Sequence, residues 1–267
     1  MSRVGIGLLA LLLSITLAFG ACASTITWVA TSGYVIGDGA VSVAIDAFLA
    51  YRTTEDQQLQ MREASGIYDV DIILVTHSHH DHFSGDPVAD NMRANPAAVL
   101  VGPEDVIVEV RDLVPELPDD RFHAVAPALD EPIHLAEAAI DLTALSFPHP
   151  GARQPENVGY IFDVGDVTFF HAGDLNVDDV TELFAAYDLG SLGIDVVILP
   201  TFIFMSTGKH EAIQSVGADC LIPSHTDSAG LASCIRVAGR FFDNLVSFSA
   251  WMESVEIEPG VPCGMAD

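Results

Sequence analysis

The sequence predicts an α/β protein in which stacked β-sheets are covered by helices. Two features of the chain indicate this class. Each half opens with short apolar strands in succession and continues with strands that alternate with helices. Such elements bury their apolar faces by packing in layers. The chain has 267 residues, 50% of them hydrophobic, which is enough for one sizeable core in a single domain.

The first half of the chain contains clear start and stop signals. Gly37-Asp38-Gly39 predicts a turn between strands, Asn95-Pro96 ends a helix, and Pro103-Glu104 begins another with a proline and an acid in its first turn. The predicted elements are strands over residues 26–29, 34–36 and 40–46, a helix over 57–64, a strand over 70–75, a helix over 83–95, a strand over 98–101 and the helix from Pro103. Residues 114–131, rich in proline and aspartate, predict no element.

The second half combines a hairpin with further alternation of strands and helices. Gly165-Asp166 between two apolar runs predicts the hairpin, and Ser206 or Thr207 is a candidate cap for a helix that Gly217 ends. The predicted strands cover residues 140–146, 158–164, 167–171, 194–199, 220–222 and 255–257, and the predicted helices cover 177–187, 209–216 and 231–241.

The N-terminus has the pattern of a secretory signal peptide. Arg3 precedes an apolar run over residues 6–19, and Ala21-Cys22-Ala23 supplies a cleavage site of small residues. We therefore expect residues 1–23 to be removed and a domain of residues 24–267 to be exported to the periplasm or the exterior. Cleavage before Cys22 with lipid attachment is the alternative, although the two residues before Ala21 fit a lipobox poorly. No later apolar stretch predicts a membrane span in the mature chain.

The net charge of the chain narrows the range of its binding partners. The chain has 38 acidic against 10 basic residues, a net charge of −28, and Lys209 is its single lysine. No basic tract could neutralise a phosphate backbone, so we expect a small-molecule substrate and no nucleic acid.

After loss of the signal peptide, three cysteines remain, which allows at most one internal disulfide among Cys220, Cys234 and Cys263. The pairing and the oligomeric state stay open.

The segment from His77 to His82 predicts a metal site. It follows an apolar strand and has the spacing H-x-H-x-D-H, with His77, His79, Asp81 and His82 as candidate ligands. Side chains two residues apart at a strand end point the same way, so His77 and His79 can bind one ion. We expect Asp81 and His82 in the first turn of the following helix, near a second ion, and His80 pointing away. The alternative is a polar loop with exposed histidines.

Three further candidate ligands each follow a predicted strand: His149, Asp174 and His225. Taken singly, His149 and His225 could be solvent-exposed loop residues, and Asp174 could be a turn residue or a helix cap. Together with the first segment they provide five histidines and two carboxylates. This set can hold two adjacent metal ions that share a bridging carboxylate.

The remaining histidines and one arginine receive weaker predictions. We expect His171 beside the metal site without binding the ions, and His210 exposed on its helix. His123 and His134 are predicted to be structural or solvent-facing. Arg153, four residues after His149, is the best local candidate for binding an anionic group of the substrate.

With these motifs the chain resembles the metallo-β-lactamase superfamily, and the resemblance covers essentially the whole predicted mature chain. The matching segments, in the order of that family, are His77-Ser78-His79-His80-Asp81-His82, His149, His171-Ala172-Gly173-Asp174 and Ile222-Pro223-Ser224-His225. Phe170 before the third segment, Phe204-Met205 and Glu211-Ala212 are similar to the branch of ascorbate-6-phosphate lactonase. Leu175-Asn176 stands where that branch has threonine-glycine, which leaves the substrate open.

The resemblance implies an αββα four-layer sandwich and a dinuclear centre. One ion would be bound by His77, His79 and His149, and the other by Asp81, His82 and His225, with Asp174 bridging. Zinc is favoured, with manganese or iron as alternatives. A hydroxide between the ions would attack a lactone, ester or phosphodiester, and Asp81 would orient it as the catalytic residue.

Three alternatives remain within this resemblance. A β-lactam-hydrolysing enzyme would use the same mechanism. A non-catalytic metal-binding module would keep the ligands without turnover, although the complete set of seven argues against such loss. A nucleic-acid-processing member is disfavoured by the net charge of −28.

Overall fold

The structure is a computed structural model that describes residues 22–138, 140–151 and 154–264. The predicted signal peptide, apart from its last two residues, and Arg153 lie outside the described residues. The first half contains, in order, β1 (Ser24–Ala30), β2 (Gly33–Gly37), β3 (Ser42–Ile45), α1 (Glu55–Arg62), β4 (Ile72–Leu74), α2 (Gly85–Ala94), β5 (Val99–Gly102), α3 (Glu104–Leu113) and β6 (Phe122–Ala124).

The second half contains more strands before its first helix. Its elements are β7 (Ile133–Glu137), β8 (Ile140–Ser146), β9 (Val158–Val164), β10 (Val167–His171), α4 (Val180–Ala186), β11 (Val196–Pro200), α5 (Thr201–Phe204), α6 (His210–Val216), β12 (Cys220–Ser224), α7 (Ser228–Ala238) and β13 (Ser254–Ile257).

These strands form two sheets that share one plan. The first sheet has seven strands in the order β13-β1-β2-β3-β4-β5-β6, and the second has six in the order β12-β11-β10-β9-β8-β7. In each sheet an antiparallel meander leads into parallel strands, β3 to β6 in the first and β10 to β12 in the second. Parallel strands end at a common edge of their sheet, so the loops that follow them are brought together.

The apolar side chains separate into three layers of core. The alternation in β4 shows how: Ile72 and Leu74 face the core between the two sheets, whereas Ile73 faces the core under α1, α2 and α3. Helices α4 to α7 cover the outer face of the second sheet in the same way. The layers are therefore helix, sheet, sheet, helix, and the predicted αββα sandwich is confirmed.

Local signals explain several element boundaries. Thr54 and Gln57 form a reciprocal capping box at the start of α1. The β9–β10 hairpin turns at Gly165, whose φ of +62° suits glycine, as predicted. The predicted cap of α6 is wrong, because a single 3₁₀ turn over Thr207–Lys209 precedes the helix and no side chain caps it. Gly217 ends α6 in the left-handed conformation, as expected.

Two expectations about particular regions also need correction. Residues 114–131 contain β6, which is preceded by the buried Arg121; its guanidinium donates to the carbonyl oxygens of Met92, Asn95 and Ala98. His210 is buried rather than exposed, because its ring packs against Phe241 and Phe242 while Nε2 donates to the carbonyl of Phe204 at 2.8 Å. Its position at the start of α6 turns it inward.

The cysteines agree with the expectation of at most one internal disulfide. Cys220 on β12 is bonded to Cys263, which ties the C-terminal segment to the second sheet, while Cys234 stays a buried free thiol. Within the described part of the chain, none of the helices has the length and apolar character to cross a bilayer.

Candidate metal centre

The metal-site segment leaves the end of β4 as a tight turn. The backbone N–H groups of His82 and Phe83 both donate to the carbonyl of His79 at 2.9 Å. Helix α2 begins only at Gly85, so the expectation that Asp81 and His82 lie in its first turn is wrong. The turn still brings both side chains into the site, because it directs His82 toward His77 and Asp81 toward His225. His80 is exposed and points to Tyr51, away from the other histidines, as expected.

All seven predicted ligands converge at one edge of the sandwich. Their ligand atoms form three overlapping groups in which each atom lies within 4.8 Å of the others. The groups are His77 with His79 and His149, His77 with His82 and Asp174, and Asp81 with His82 and His225. The loops after β4, β8, β10 and β12 contribute these residues. The side chains are therefore arranged so that they could hold one or more metal ions.

Asp174 occupies the centre of this arrangement. Its Oδ2 lies 3.1 Å from Nε2 of His225, 3.6 Å from Nε2 of His149 and 4.0 Å from Nε2 of His77. Its Oδ1 lies 3.3 Å from Nε2 of His82. One carboxylate thus faces four imidazoles, two from each of the two predicted ligand sets.

Hydrogen bonds on the far side of the rings orient three of the histidines. Asp46 accepts from the backbone N–H and the hydroxyl of Thr76 and from Nδ1–H of His82 at 2.7–2.8 Å. Because the Thr76 hydroxyl donates to Asp46, its oxygen accepts from Nδ1–H of His77 at 3.0 Å. Nδ1–H of His149 donates to the carbonyl of the next residue at 2.9 Å. Each ring therefore directs Nε2 to the site, the nitrogen that can bind a metal once its proton is lost.

Asn157 connects the loops that present His149 and Asp174. Its Nδ2 donates to the carbonyls of Phe147 and Ala172, both at 3.0 Å, and its Oδ1 accepts from the backbone N–H of Asp174 at 2.9 Å. Gly173 has a φ of +59°, and a Cβ there would lie 2.2 Å from Oδ1 of Asn157. Only glycine fits this position, so Asn157 and Gly173 together fix the direction of Asp174.

Opposite charges dominate the electrostatics of the pocket. Burial opposes protonation of His82, but Asp46 and Asp174 outweigh it and raise its pKa to about 10. Burial likewise opposes charge on His225, whose pKa is raised to about 9 by hydrogen bonds to Asp174 and Asp81. The pKa of Asp174 is well below its usual range, because the surrounding imidazoles outweigh the effect of burial. The carboxylates thus attract positive charge, for which protons and metal ions compete.

Orphaned polar atoms show that these residues fit a metal. Nε2 of His82, Nε2 of His149 and Oδ1 of Asp174 are buried without a hydrogen-bond partner. Buried polar atoms rarely remain unpaired, and these three converge on one small volume. Two imidazole nitrogens and a carboxylate oxygen are the donor types that zinc and similar divalent ions prefer.

Backbone strain is concentrated around the same pocket. Of the eight non-glycine residues with positive φ in the described part of the chain, four lie here, at φ values of 44–58°: Thr31, Asp46, Arg52 and His225. Thr31 donates its hydroxyl to the carbonyl of Asp81 at 2.8 Å, so even this distant turn supports the metal-site segment. Such conformations cost about 1–3 kcal/mol each and cluster where function requires a particular geometry.

Sequence reasoning missed the residues that support the ligands. Asp46, Thr76 and Asn157 do not bind the site directly and follow no ligand spacing, although Asp46 and Thr76 each stand at the end of an apolar strand. His171 was expected beside the site and is buried there, accepting from the N–H of Gly173 at 3.0 Å. Of the remaining histidines, His123 approaches Glu137 and His134 bonds Thr143, both outside the metal centre.

Known proteins share this fold and part of this sequence. Residues 42–226, more than half of the chain, match the family model described as a beta-lactamase superfamily domain. A UPF0173 metal-dependent hydrolase from Pyrococcus horikoshii is 30% identical over 67% of this chain and 73% of its own. A second, from Nitratidesulfovibrio vulgaris, is 27% identical over 75% of this chain and 79% of its own.

The solved structure of Igni18, a metallo hydrolase from Ignicoccus hospitalis, matches 88% of this chain and 99% of its own with a TM-score of 0.62. At 18% identity this likeness concerns the fold alone. The family model spans the loops of His77, His149 and Asp174 and ends just after His225, so it includes every loop that carries a candidate ligand. The chain therefore belongs to the beta-lactamase superfamily domain family.

Proposed function

We propose that this chain, a metal-dependent hydrolase by its family, holds two divalent metal ions and hydrolyses a lactone, ester or phosphodiester. The observation that carries the proposal is the position of Asp174. Its two oxygens face imidazoles of both halves of the site, at 3.1–4.0 Å from Oδ2 and 3.3 Å from Oδ1. A carboxylate so placed can bridge two ions and reduce their mutual repulsion.

The chain's own side chains divide into two ligand sets. His77, His79 and His149 would hold one ion, and Asp81, His82 and His225 the other, with Asp174 shared. Five imidazoles and two carboxylates suit zinc, while manganese and iron are also compatible with them. Bound there, divalent ions would supply Lewis acidity toward the substrate oxygen and make a nearby water more acidic.

Asp81 is the proposed proton acceptor. Its side chain is 25% exposed, more than that of Asp174 at 9%, and its Oδ2 lies 3.3 Å from Nε2 of His225. A half-buried carboxylate at the open side of the site can orient an attacking water and accept its proton. The hydrogen bond from His225 holds the pKa of Asp81 below its usual range, so the carboxylate is ionised at neutral pH.

We further propose that the protein is exported with residues 1–23 as its signal peptide. The Cys220–Cys263 disulfide supports this, since such bonds persist mainly in oxidising compartments. Strand β1 begins at Ser24, so cleavage after Ala23 leaves the sandwich whole. The similarity to the ascorbate-6-phosphate lactonase branch stays a prediction.

A hydrolysis screen tests the proposed reaction. Residues 24–267, loaded with zinc, would be assayed against neutral lactones, carboxylic esters, phosphodiesters and the β-lactam nitrocefin. We expect turnover in one of the first three classes that is lost on chelation and restored by metal. Cleavage of nitrocefin alone would support the β-lactamase alternative, and no turnover at full metal occupancy would favour a non-catalytic module.

A further inference from the structure

Two large apolar side chains stand partly exposed beside the metal centre. Tyr51 is 37% exposed, and its ring lies edge-on to that of His80 with 4.9 Å between centroids. Phe202 is 36% exposed, and its ring lies edge-on to that of His225 at 6.0 Å. His80 is part of the metal-site turn and His225 is a candidate ligand. Phe202 therefore lies against a candidate ligand, whereas Tyr51 lies against the histidine of the turn that points away from the ligands.

The fold places Phe202 there for no evident structural purpose. Helix α5 follows β11 directly, at the edge of the sheet where Asp174 and His225 also emerge. Its neighbours Ile203 and Phe204 are fully buried in the outer core, whereas Phe202 turns away from that core. A single exposed apolar residue is ordinary on a protein surface. One that touches a candidate metal ligand at the mouth of a catalytic site has the position of a substrate contact.

Among the described residues, the cation stacked on Tyr51 is already paired. The guanidinium of Arg52 stacks over Tyr51 at 5.2 Å from the ring centroid and lies 3.6 Å from Oδ2 of Asp227. Asp227 also caps α7 by accepting from the N–H of Gly230. Arg52 is thus already engaged with a ring and a carboxylate. The net charge of −28 repels anions over the surface as a whole, whereas a neutral apolar group gains from contact with the rings.

We propose that Phe202 binds an apolar or aromatic group next to the scissile carbonyl of a neutral ester or lactone. Phe202 is then a specificity-determining residue, and the substrate class is narrower than ester or lactone in general. The inference rests on the proposed function for its reaction, but its contact can be measured without turnover.

The kinetic test compares acyl groups on one leaving group. The p-nitrophenyl esters of acetate, phenylacetate and succinate would be assayed with wild type, Phe202→Ala and the control Phe241→Ala. Phe241 is 48% exposed but packs on His210, outside the metal centre. We expect wild type to prefer phenylacetate. In Phe202→Ala the ratio of kcat/KM for phenylacetate to that for acetate should fall about tenfold, because the phenyl group of the substrate loses its apolar contact with the Phe202 ring. The control should keep the ratio.

The binding test uses acetohydroxamate and phenylacetohydroxamate, which chelate divalent ions through two oxygens. Calorimetric titration of the zinc-loaded protein should give tighter binding of the phenyl compound in wild type and in Phe241→Ala, and a reduced preference in Phe202→Ala. Metal content measured on the same samples should be equal in all three proteins.

The two proposals fail in different ways. If no ester or lactone is cleaved but the hydroxamate preference depends on Phe202, the proposed reaction is wrong and the apolar contact stands. If esters are cleaved and neither ratio changes in Phe202→Ala, the contact is wrong and the hydrolase proposal stands. A wild-type preference for succinate, or equal binding or no binding of the two hydroxamates, would also overturn the inference.

Discussion

Oδ2 of Asp46 lies 2.7 Å from Nδ1 of His82, and each of the two residues is only 1% exposed. This bond fixes the ring so that Nε2 faces Asp174 at 3.3 Å. The same carboxylate holds Thr76, which in turn orients His77. A single buried residue at the end of β3 thus orients a histidine in each of the two proposed ligand sets, without touching either proposed ion.

Asp46→Ala should weaken metal binding although Asp46 is not a ligand. Loss of a carboxylate behind a ligating histidine typically costs 10–100-fold in metal affinity or activity, because the ring loses its orientation and basicity. Competition with a chromophoric chelator would measure the affinity. Asp71→Ala is the control, since Asp71 also accepts two hydrogen bonds, from Ser42, but stands at the opposite end of β4. Equal affinities for both variants would refute the orienting role.

Gly173→Ala should damage the site through sterics alone. A methyl group there would meet Oδ1 of Asn157 at 2.2 Å and Cβ of Thr76 at 2.8 Å, so the loop that presents Asp174 must move. We expect a loss of more than about 2 kcal/mol in unfolding free energy together with weaker metal binding. Chemical denaturation and metal titration of the same preparation provide both readouts.

Gly193→Ala is the matched control for that variant. Gly193 also has a positive φ, +66°, but a Cβ there meets nothing within 4 Å. Its replacement should cost only about 1–2 kcal/mol for the backbone conformation and leave metal binding unchanged. If Gly173→Ala behaved like this control, the close packing around Asp174 would not contribute to metal binding.

The fold was largely predictable from local signals, and the supporting residues of the site were not. Apolar runs between turn residues identified most strands, and the ligand spacing identified all seven residues that converge on the pocket. Asp46 and Asn157 remained hidden because their role depends on contacts 36 and 10 to 17 residues away in sequence, which no spacing encodes. His210 was misplaced for a similar reason, since its burial depends on Phe241 and Phe242, more than one element away.

Removal of the disulfide should destabilise the sandwich without changing the metal centre. Cys220 and Cys263 are 43 residues apart, and opening a loop of that size typically costs about 2–4 kcal/mol. Denaturation midpoints should therefore fall when wild type is reduced, whereas Cys263→Ser should have the lower midpoint already and show no response to reductant. An unchanged wild-type midpoint under reducing conditions would argue that the bond contributes nothing.

Export makes a prediction about the N-terminus. Expression of the full chain with secretion monitored should yield a protein that starts at Ser24, the first residue of β1. N-terminal sequencing or intact mass would identify it. A lipid-modified Cys22 would support export with the alternative cleavage site, and recovery of Met1 in the mature form would contradict export.

The central claim is that Asp174 joins two metal ions in one centre, and metal stoichiometry tests it most directly. The comparison uses zinc-saturated wild type, Asp174→Ala and the exposed control His134→Ala. Elemental analysis gives the number of metal ions per chain, and the best substrate of the screen gives the turnover. His134 is a suitable control because it is exposed and bonds Thr143 outside the metal centre. We expect close to two ions per chain in wild type and in His134→Ala. Asp174→Ala should bind fewer and lose about three orders of magnitude or more in turnover. Two ions and near-normal turnover in Asp174→Ala would contradict the bridge.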